Sequence, residues 1–243
     1  MTTTPAERPT VLLLHGGAGP ATMRPLAAHF ADAADVIAPT HPGWNGIPRP
    51  DDIDSVRALA DHYRRMLADA GTTHTIVIGS SLGGWIGAEL ALADPELVSA
   101  LVLIDSAGIE VPGEPVRNLT GLTPAEIAPF SFHDPAKLVV PEPTPENLAI
   151  ARGNQATLDA LAGDPYMHEP TLRGRLGSLT TPTLVLWGGS DRVITPAYGR
   201  ALADSIPGAR FTQIAEAGHL PFLEQPAAVF AALDDFLAAV PAA

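Results

Sequence analysis

One stretch constrains the chain more than any other: Thr75-Ile76-Val77-Ile78-Gly79-Ser80-Ser81-Leu82-Gly83-Gly84-Trp85-Ile86-Gly87-Ala88-Glu89-Leu90. An apolar β-branched run stops at Gly79, and apolar residues at helical spacing (Leu82, Ile86, Leu90) begin almost at once. The pattern predicts a strand, a sharp turn and a helix. Gly79-Ser80-Ser81-Leu82-Gly83 fits G-x-S-x-G, in which the flanking glycines let the backbone turn so tightly that the central serine, Ser81, stands exposed. Ser80 fails the same frame, because Ile78 and Leu82 would then occupy the glycine positions. The helix behind Ser81 aims its free N–H groups and positive dipole end at any negative charge formed there. A Gly/Ser cluster between a strand and a helix can also be an ordinary turn, so the remaining chain has to decide.

Before and after this stretch, strand-like runs alternate with helical ones. Val11-Leu12-Leu13-Leu14 enters the glycine loop His15-Gly16-Gly17-Ala18-Gly19-Pro20, and a helix through Met23, Leu26, Ala27 and Phe30 follows. Val36-Ile37-Ala38-Pro39 ends in the Gly/Pro loop of Thr40 to Gly46. Asp54 is the expected cap of a helix carrying Val56, Leu59, Ala60, Tyr63 and Leu67, which closes at Gly71. Ala100 to Ile104 delivers Asp105 to a strand end, Thr183 to Trp187 delivers Gly188-Gly189-Ser190-Asp191, and Ala209 to Ile214 leads through Gly218 to His219. Helices are expected around Tyr198 to Ala203 and from Pro226 to Leu237. This rhythm implies an α/β fold with a mostly parallel sheet of about six strands, helices on both faces, and ligands beyond the carboxyl ends of the strands. His15, His41, Ser81 and Asp105 should share that rim.

The rhythm breaks between residues 107 and 179, which read as a helical insertion in a core made of residues 1–106 and 180–243. Thr123-Pro124 and Thr144-Pro145 look like capped helix starts, and Asp134-Pro135 and Glu169-Pro170 are two further candidates. An insertion on the catalytic rim would serve as a lid or cap; the plainer alternative is a surface excursion.

With 243 residues, 46% of them hydrophobic, the chain suits one large α/β domain. The net charge of −13 argues against nucleic acid or an anionic membrane as partner. The absence of cysteine removes disulfides, thiolate metal sites and cysteine catalysis. Met1-Thr2-Thr3-Thr4-Pro5 has no basic start leading into an apolar stretch, and a cytoplasmic location is expected. No H-E-x-x-H spacing occurs, so neither metal nor cofactor is expected. The expected partner is a small-molecule substrate, with the chain a monomer or homodimer.

A serine hydroxyl is a poor nucleophile at neutral pH and needs a base, itself oriented by an acid. The order Ser81, Asp191, His219 supplies both. On His15-Gly16-Gly17, Gly79 to Gly84, Leu186 to Asp191 and Gly218-His219, the chain resembles the α/β-hydrolase fold family, particularly its small capped members. The resemblance implies Ser81 as nucleophile, His219 as general base and then acid, Asp191 as orienting carboxylate, and the backbone N–H groups of Leu82 and Gly17 as the oxyanion hole. Asp105 is the alternative acid, because some members place the carboxylate after that strand; Asp191 is preferred for its loop. Among the other histidines, His15 should brace its loop and His41 should line or support the pocket. His29, His62, His74, His133 and His168 read as surface or cap residues.

Only a decapeptide precedes Val11, too short for the antiparallel hairpin with which the family usually opens. An uncovered sheet edge or a dimer surface could result. Serine in the elbow excludes the resembling dehalogenases and epoxide hydrolases, which carry aspartate there. Trp44, Trp85, Phe130, Phe132, Met167, Leu220 and Phe222 are candidate substrate-binding residues, an apolar set suiting a hydrophobic acyl or alcohol group, although each could equally be core. Carboxylic ester or lactone hydrolysis ranks first. Carbon–carbon hydrolysis of the ring-cleavage-product type ranks second, because those enzymes commonly carry Asn and Trp where this chain has Ser80 and Leu220. Receptor-like binding in the same pocket, and perhydrolase activity of the same acyl-enzyme, are the further alternatives.

Overall fold

The computed structural model describes residues 8–137 and 144–240. Six strands form one parallel sheet: β1 (Thr10–Leu14), β2 (Asp35–Ile37), β3 (Thr75–Ser80), β4 (Val98–Ile104), β5 (Thr183–Gly188) and β6 (Arg210–Ile214), in the spatial order β2-β1-β3-β4-β5-β6. Side chains alternate across a strand, so each central strand feeds two cores. Leu12, Leu14, Val77, Leu101, Leu103, Val185 and Trp187 face helices α2 (Val56–Asp69), α3 (Leu82–Ala93) and α7 (Pro196–Asp204). Val11, Leu13, Ile78, Val102, Ile104, Leu184 and Leu186 face α1 (Arg24–Phe30) and α9 (Pro226–Ala239). Burial on both faces is why these strands read as continuous apolar runs.

Helix α2 corrects one expectation. Its N-cap is Ser55, not Asp54: Ser55 is the last extended residue (φ −150°, ψ 164°), and its Oγ accepts from the Ala58 N–H at 3.2 Å. Asp54 lies one residue too early to reach the first turn's open donors. At the other end Gly71 takes φ 67°, its N–H bonds Ala68 O and the Thr72 N–H bonds Leu67 O, which closes the helix with a left-handed residue.

Between β4 and β5 lie α4 (Pro124–Ser131), α5 (Pro145–Ala162) and α6 (Leu172–Arg175). Thr123 and Glu126 form a reciprocal capping box on α4, and Thr144 Oγ1 accepts from the Asn147 N–H on α5. Asp134-Pro135 yields only a single 3-10 turn, Pro135–Lys137. No helix starts at Glu169-Pro170, where the Glu169 carboxylate instead accepts from Thr171, and α6 begins at Leu172. The α5 helix is tied to the core loop after β2: Asn154 Oδ1 accepts from the Asn45 N–H at 2.7 Å, and Thr157 Oγ1 donates to Gly43 O at 2.9 Å. Among the described residues no helix is long and apolar enough to cross a membrane.

Helix α3 is buried on nearly all sides, yet it carries Glu89, 3% exposed. Arg175, at the end of α6, grips both Glu89 oxygens at 2.5 and 2.8 Å and also bonds Glu169 at 2.9 Å, while Arg57 stands 3.7 Å from Glu89. A buried carboxylate needs this bidentate partner to offset lost hydration. Arg175→Ala should therefore destabilise the protein by about 3 kcal/mol in urea unfolding, whereas Arg57→Ala, whose side chain is exposed and makes only longer ion pairs, should cost under about 1 kcal/mol.

Candidate active site

The parallel register carries the ends of the strands to one rim. Ser80 pairs with Ile104, Ile104 with Leu186 and Gly188 with Ile214, so the residues that follow β3, β4, β5 and β6 emerge side by side. Ser81 turns between β3 and α3 at φ 55°, ψ −118°, a strained conformation for a residue with a Cβ. Its N–H is held by Ile104 O at 2.9 Å, and its carbonyl accepts from the N–H groups of Gly84 and Ala107. The flanking glycines are obligatory: a Cβ on Gly79 would stand 2.2 Å from Gly83 O, and one on Gly83 would stand 2.0 Å from Leu14 O. Ser81 Oγ takes no protein hydrogen bond among the described residues, and Leu82 starts the helix, where amides have no intrahelical partner.

The loop after β5 and the loop after β6 meet at a hydrogen bond of 2.8 Å from His219 Nδ1 to Asp191 Oδ2. Asp191 is 3% exposed, and its other oxygen accepts from the N–H groups of Val193 (2.7 Å) and Ile194 (3.0 Å), so the carboxylate is fixed in place. With Nδ1 donating to a carboxylate, the tautomer leaves Nε2 as the free acceptor. The histidine loop is clamped from two directions. The His219 N–H bonds Ser131 O at the end of α4 at 2.7 Å, and Glu224, which ends α8 (Pro221–Glu224), accepts from the N–H groups of Gly218 and His133. Asp105 is not the partner of His219: its Oδ1 accepts from the Gly188 N–H at 2.9 Å. Asp105, Asp191 and His219 each place one ligating atom within 4.8 Å of the other two, the one such group among the described residues. The Asp191 oxygens and His219 Nδ1 are already spent on one another and on backbone amides.

Behind the Gly16-Gly17 loop lies a buried chain whose protons can be placed by elimination. The His41 backbone N–H can only donate, so His15 Nε2 accepts it (3.1 Å) and His15 Nδ1–H donates to Gly16 O (2.7 Å). The His15 carbonyl can only accept, so His41 Nε2–H donates to it (2.9 Å), and His41 Nδ1 accepts from the Tyr63 hydroxyl (2.6 Å). The two imidazoles stack 3.7 Å apart. Burial pushes the His15 pKa down to about 4; burial and the neighbouring His15 push His41 well below its ordinary range. Both rings are neutral at pH 7. Because a peptide unit is planar, a bond that fixes Gly16 C=O also fixes the Gly17 N–H at the other end of the same plane. His15 thus sets where the Gly17 amide points. The Tyr63 link leaves no mark in the sequence beyond an apolar helix position.

The expected pocket residues divide. Phe130, with the Arg117 guanidinium 4.2 Å above its ring, Phe132 and Leu220 are half-buried near the rim. Trp44, Trp85, Met167 and Phe222 are buried. Trp44 is wholly buried, edge-on to His15 and His41, with Nε1 donating to Gly17 O. Trp85 packs on Gly108 and lines a cavity with Glu89, Leu161 and His168, and Met167 belongs to the same core cluster. Phe222 is enclosed in the opposite core with Val229 and Leu233. Periodicity marks burial and does not say which side of the rim a side chain serves. Sequence reasoning missed Leu158 of α5, whose methyl group would lie 3.3 Å from a Cβ at Gly17 and so roofs the loop.

The sequence profile described as the "Alpha/beta hydrolase family" matches residues 11–233. BpoC of Mycobacterium tuberculosis, by its name a candidate non-heme bromoperoxidase, is 33% identical over 187 residues, covering 68% of this chain and 69% of that protein. The pimeloyl-[acyl-carrier protein] methyl ester esterase of Aromatoleum aromaticum is 28% identical over 243 residues, covering 90% and 94%. Among solved structures, a thermophilic esterase from Thermogutta terrifontis superposes with a TM-score of 0.75 at 26% identity, covering 96% of this chain and 91% of that one.

The neutral histidines generate a pH dependence. Below pH 6.5 the unfolded chain takes up a proton at His15 that the folded chain refuses until about pH 4, so stability falls as pH drops through that window. The loss should reach roughly 2–3 kcal/mol by pH 4, with His41 adding in the same direction. Urea midpoints measured across this range should flatten in His15→Asn.

Proposed function

The chain belongs to the alpha/beta hydrolase family, and from that premise we propose that it hydrolyses carboxylic ester or lactone bonds of a small, largely apolar substrate through an acyl-enzyme on Ser81. The observation that carries this reading is the strained Ser81 elbow on the same strand-end rim as the bonded His219–Asp191 pair. His219 Nε2 takes the Oγ proton as Oγ attacks the substrate carbonyl, and the tetrahedral oxyanion is received by the N–H groups of Leu82 and Gly17. The imidazolium then gives its proton to the leaving alcohol, and a water activated by the same nitrogen releases the acid. Asp191 holds the ring in the required tautomer and stabilises its positive charge.

Residues 107–179 would act as the cap, with Leu158, Phe130 and Phe132 presenting an apolar wall to the acyl or alcohol group. The esterases among its relatives support ester chemistry. The resemblance to BpoC is consistent with hydrogen peroxide replacing water as acceptor of the same acyl group, giving a peracid.

The test is turnover of p-nitrophenyl esters of graded acyl length, with intact mass after fluorophosphonate treatment. Wild-type protein should be labelled once and active; Ser81→Ala should lose both while remaining folded, and Asp191→Asn should lose about three to four orders of magnitude in kcat. A folded wild type that is neither labelled nor active would overturn the reading in favour of ligand binding without turnover.

A further inference from the structure

A second carboxyl group stands behind the Asp191–His219 pair. Asp105 follows β4 at φ 45°, in the left-handed region, and its side chain is wholly enclosed. Oδ1 accepts from the Gly188 N–H at 2.9 Å, while Oδ2 is buried and receives no donor among the described residues. A buried carboxylate with a bare oxygen is a costly arrangement, and the strained backbone that delivers it needs a reason. The titratable groups facing it are Asp191, from the loop after β5, and His219, from the loop after β6, with ligating atoms within 4.8 Å. No guanidinium among the described residues pairs with Asp105. Arg192, the cation next to Asp191 in the chain, turns outward and donates to Pro129 O at 2.6 Å.

The two forms of Asp105 differ sharply in how they fit. Ionised, it would leave Oδ2 without a donor and place a second negative charge beside Asp191 in a site with no cation at hand. As a carboxylic acid it accepts from Gly188 with one oxygen and has an O–H to give with the other, and the neighbouring acceptor is Asp191. We propose that Asp105 is a neutral carboxylic acid in the resting protein and donates its proton in a hydrogen bond to Asp191, making it a positioning residue for the carboxylate that orients His219. Burial first, and the charge of Asp191 second, raise its pKa well above the carboxylate range, against the opposing Gly188 N–H. The consequence for catalysis rests on the serine-hydrolase reading. A hydrogen bond into Asp191 draws charge from it, so the carboxylate stabilises a positive charge on the His219 ring less.

Three readouts test this. Carboxyl carbon NMR of intact protein labelled with 13C-aspartate should show one resonance at the protonated position at pH 7, absent in Asp105→Asn. The infrared carboxylic-acid band of the wild type in D2O reports the same state without any variant. A wild type whose aspartates are all ionised at pH 7 overturns the proposal, whether or not the protein turns over esters; a protonated Asp105 in a catalytically silent protein would refute the functional reading alone. In the active protein, the acid limb of kcat/KM should move by less than about 0.3 unit in Asp105→Asn, whose amide keeps the donor, and rise by about one unit in Asp105→Leu, which removes it. A uniform loss of activity with no limb shift in Asp105→Leu would reduce the residue to packing. A fall of about one unit or more in Asp105→Asn would mean that a charge had been removed, and would overturn the proposal.

Discussion

The constraint on which the rest depends is crowding of backbone against backbone at the elbow. Strand β3, the start of α3 and the end of β1 approach so closely that the would-be Cβ positions of Gly79 and Gly83 fall on main-chain atoms of Gly83 and Leu14. Gly16 repeats this on the facing loop, where a Cβ would stand 2.9 Å from the Cβ of Ser81. No side chain can be accommodated at these points, and the contact fixes where β1 and β3 lie relative to the helix. Ser81 is held at its strained dihedrals because everything around it is over-determined.

From this crowding the electrostatics of the rim follow. The first amide of α3 and the amide of Gly17 come from two segments that touch through glycine, and the second is aimed by a buried chain running from Tyr63 through His41 and His15. The chain works only with neutral rings, and burial keeps them neutral. The histidine loop is held from outside, by Ser131 of α4 and by Glu224. Position at the rim is therefore shared between the core and the stretch between β4 and β5. The ion pair of Arg175 and Glu89 ties the exit of that stretch to the helix that follows the Ser81 elbow.

Much of this was legible in the chain. The four central strands show as apolar runs because a parallel sheet buries both of their faces, and the elbow shows because only glycine meets its clearances. The Thr-Pro starts of α4 and α5 follow from local hydrogen bonding and need no tertiary context. What stayed hidden depends on three-dimensional placement. Trp85 and Phe222 carry the same apolar signal as Phe130, yet the first two pack the core. Ser55 and Asp54 are both good caps, and only the dihedrals decide between them. That Tyr63 serves His41, and that Asp105 abuts Asp191 while remaining apart from His219's bond, are matters of approach between distant segments.

The two amides at the rim belong to the main chain, and the groups that aim them lie inside the molecule. Helices α4 and α5 contain none of these groups, and α4 reaches the rim through the carbonyl of Ser131, which holds the His219 N–H. Leu158, which packs over Gly17, and Phe132 therefore stand outside the hydrogen bonds that aim these amides. What surrounds the rim and what aims its amides are, in this architecture, set by different layers of the protein.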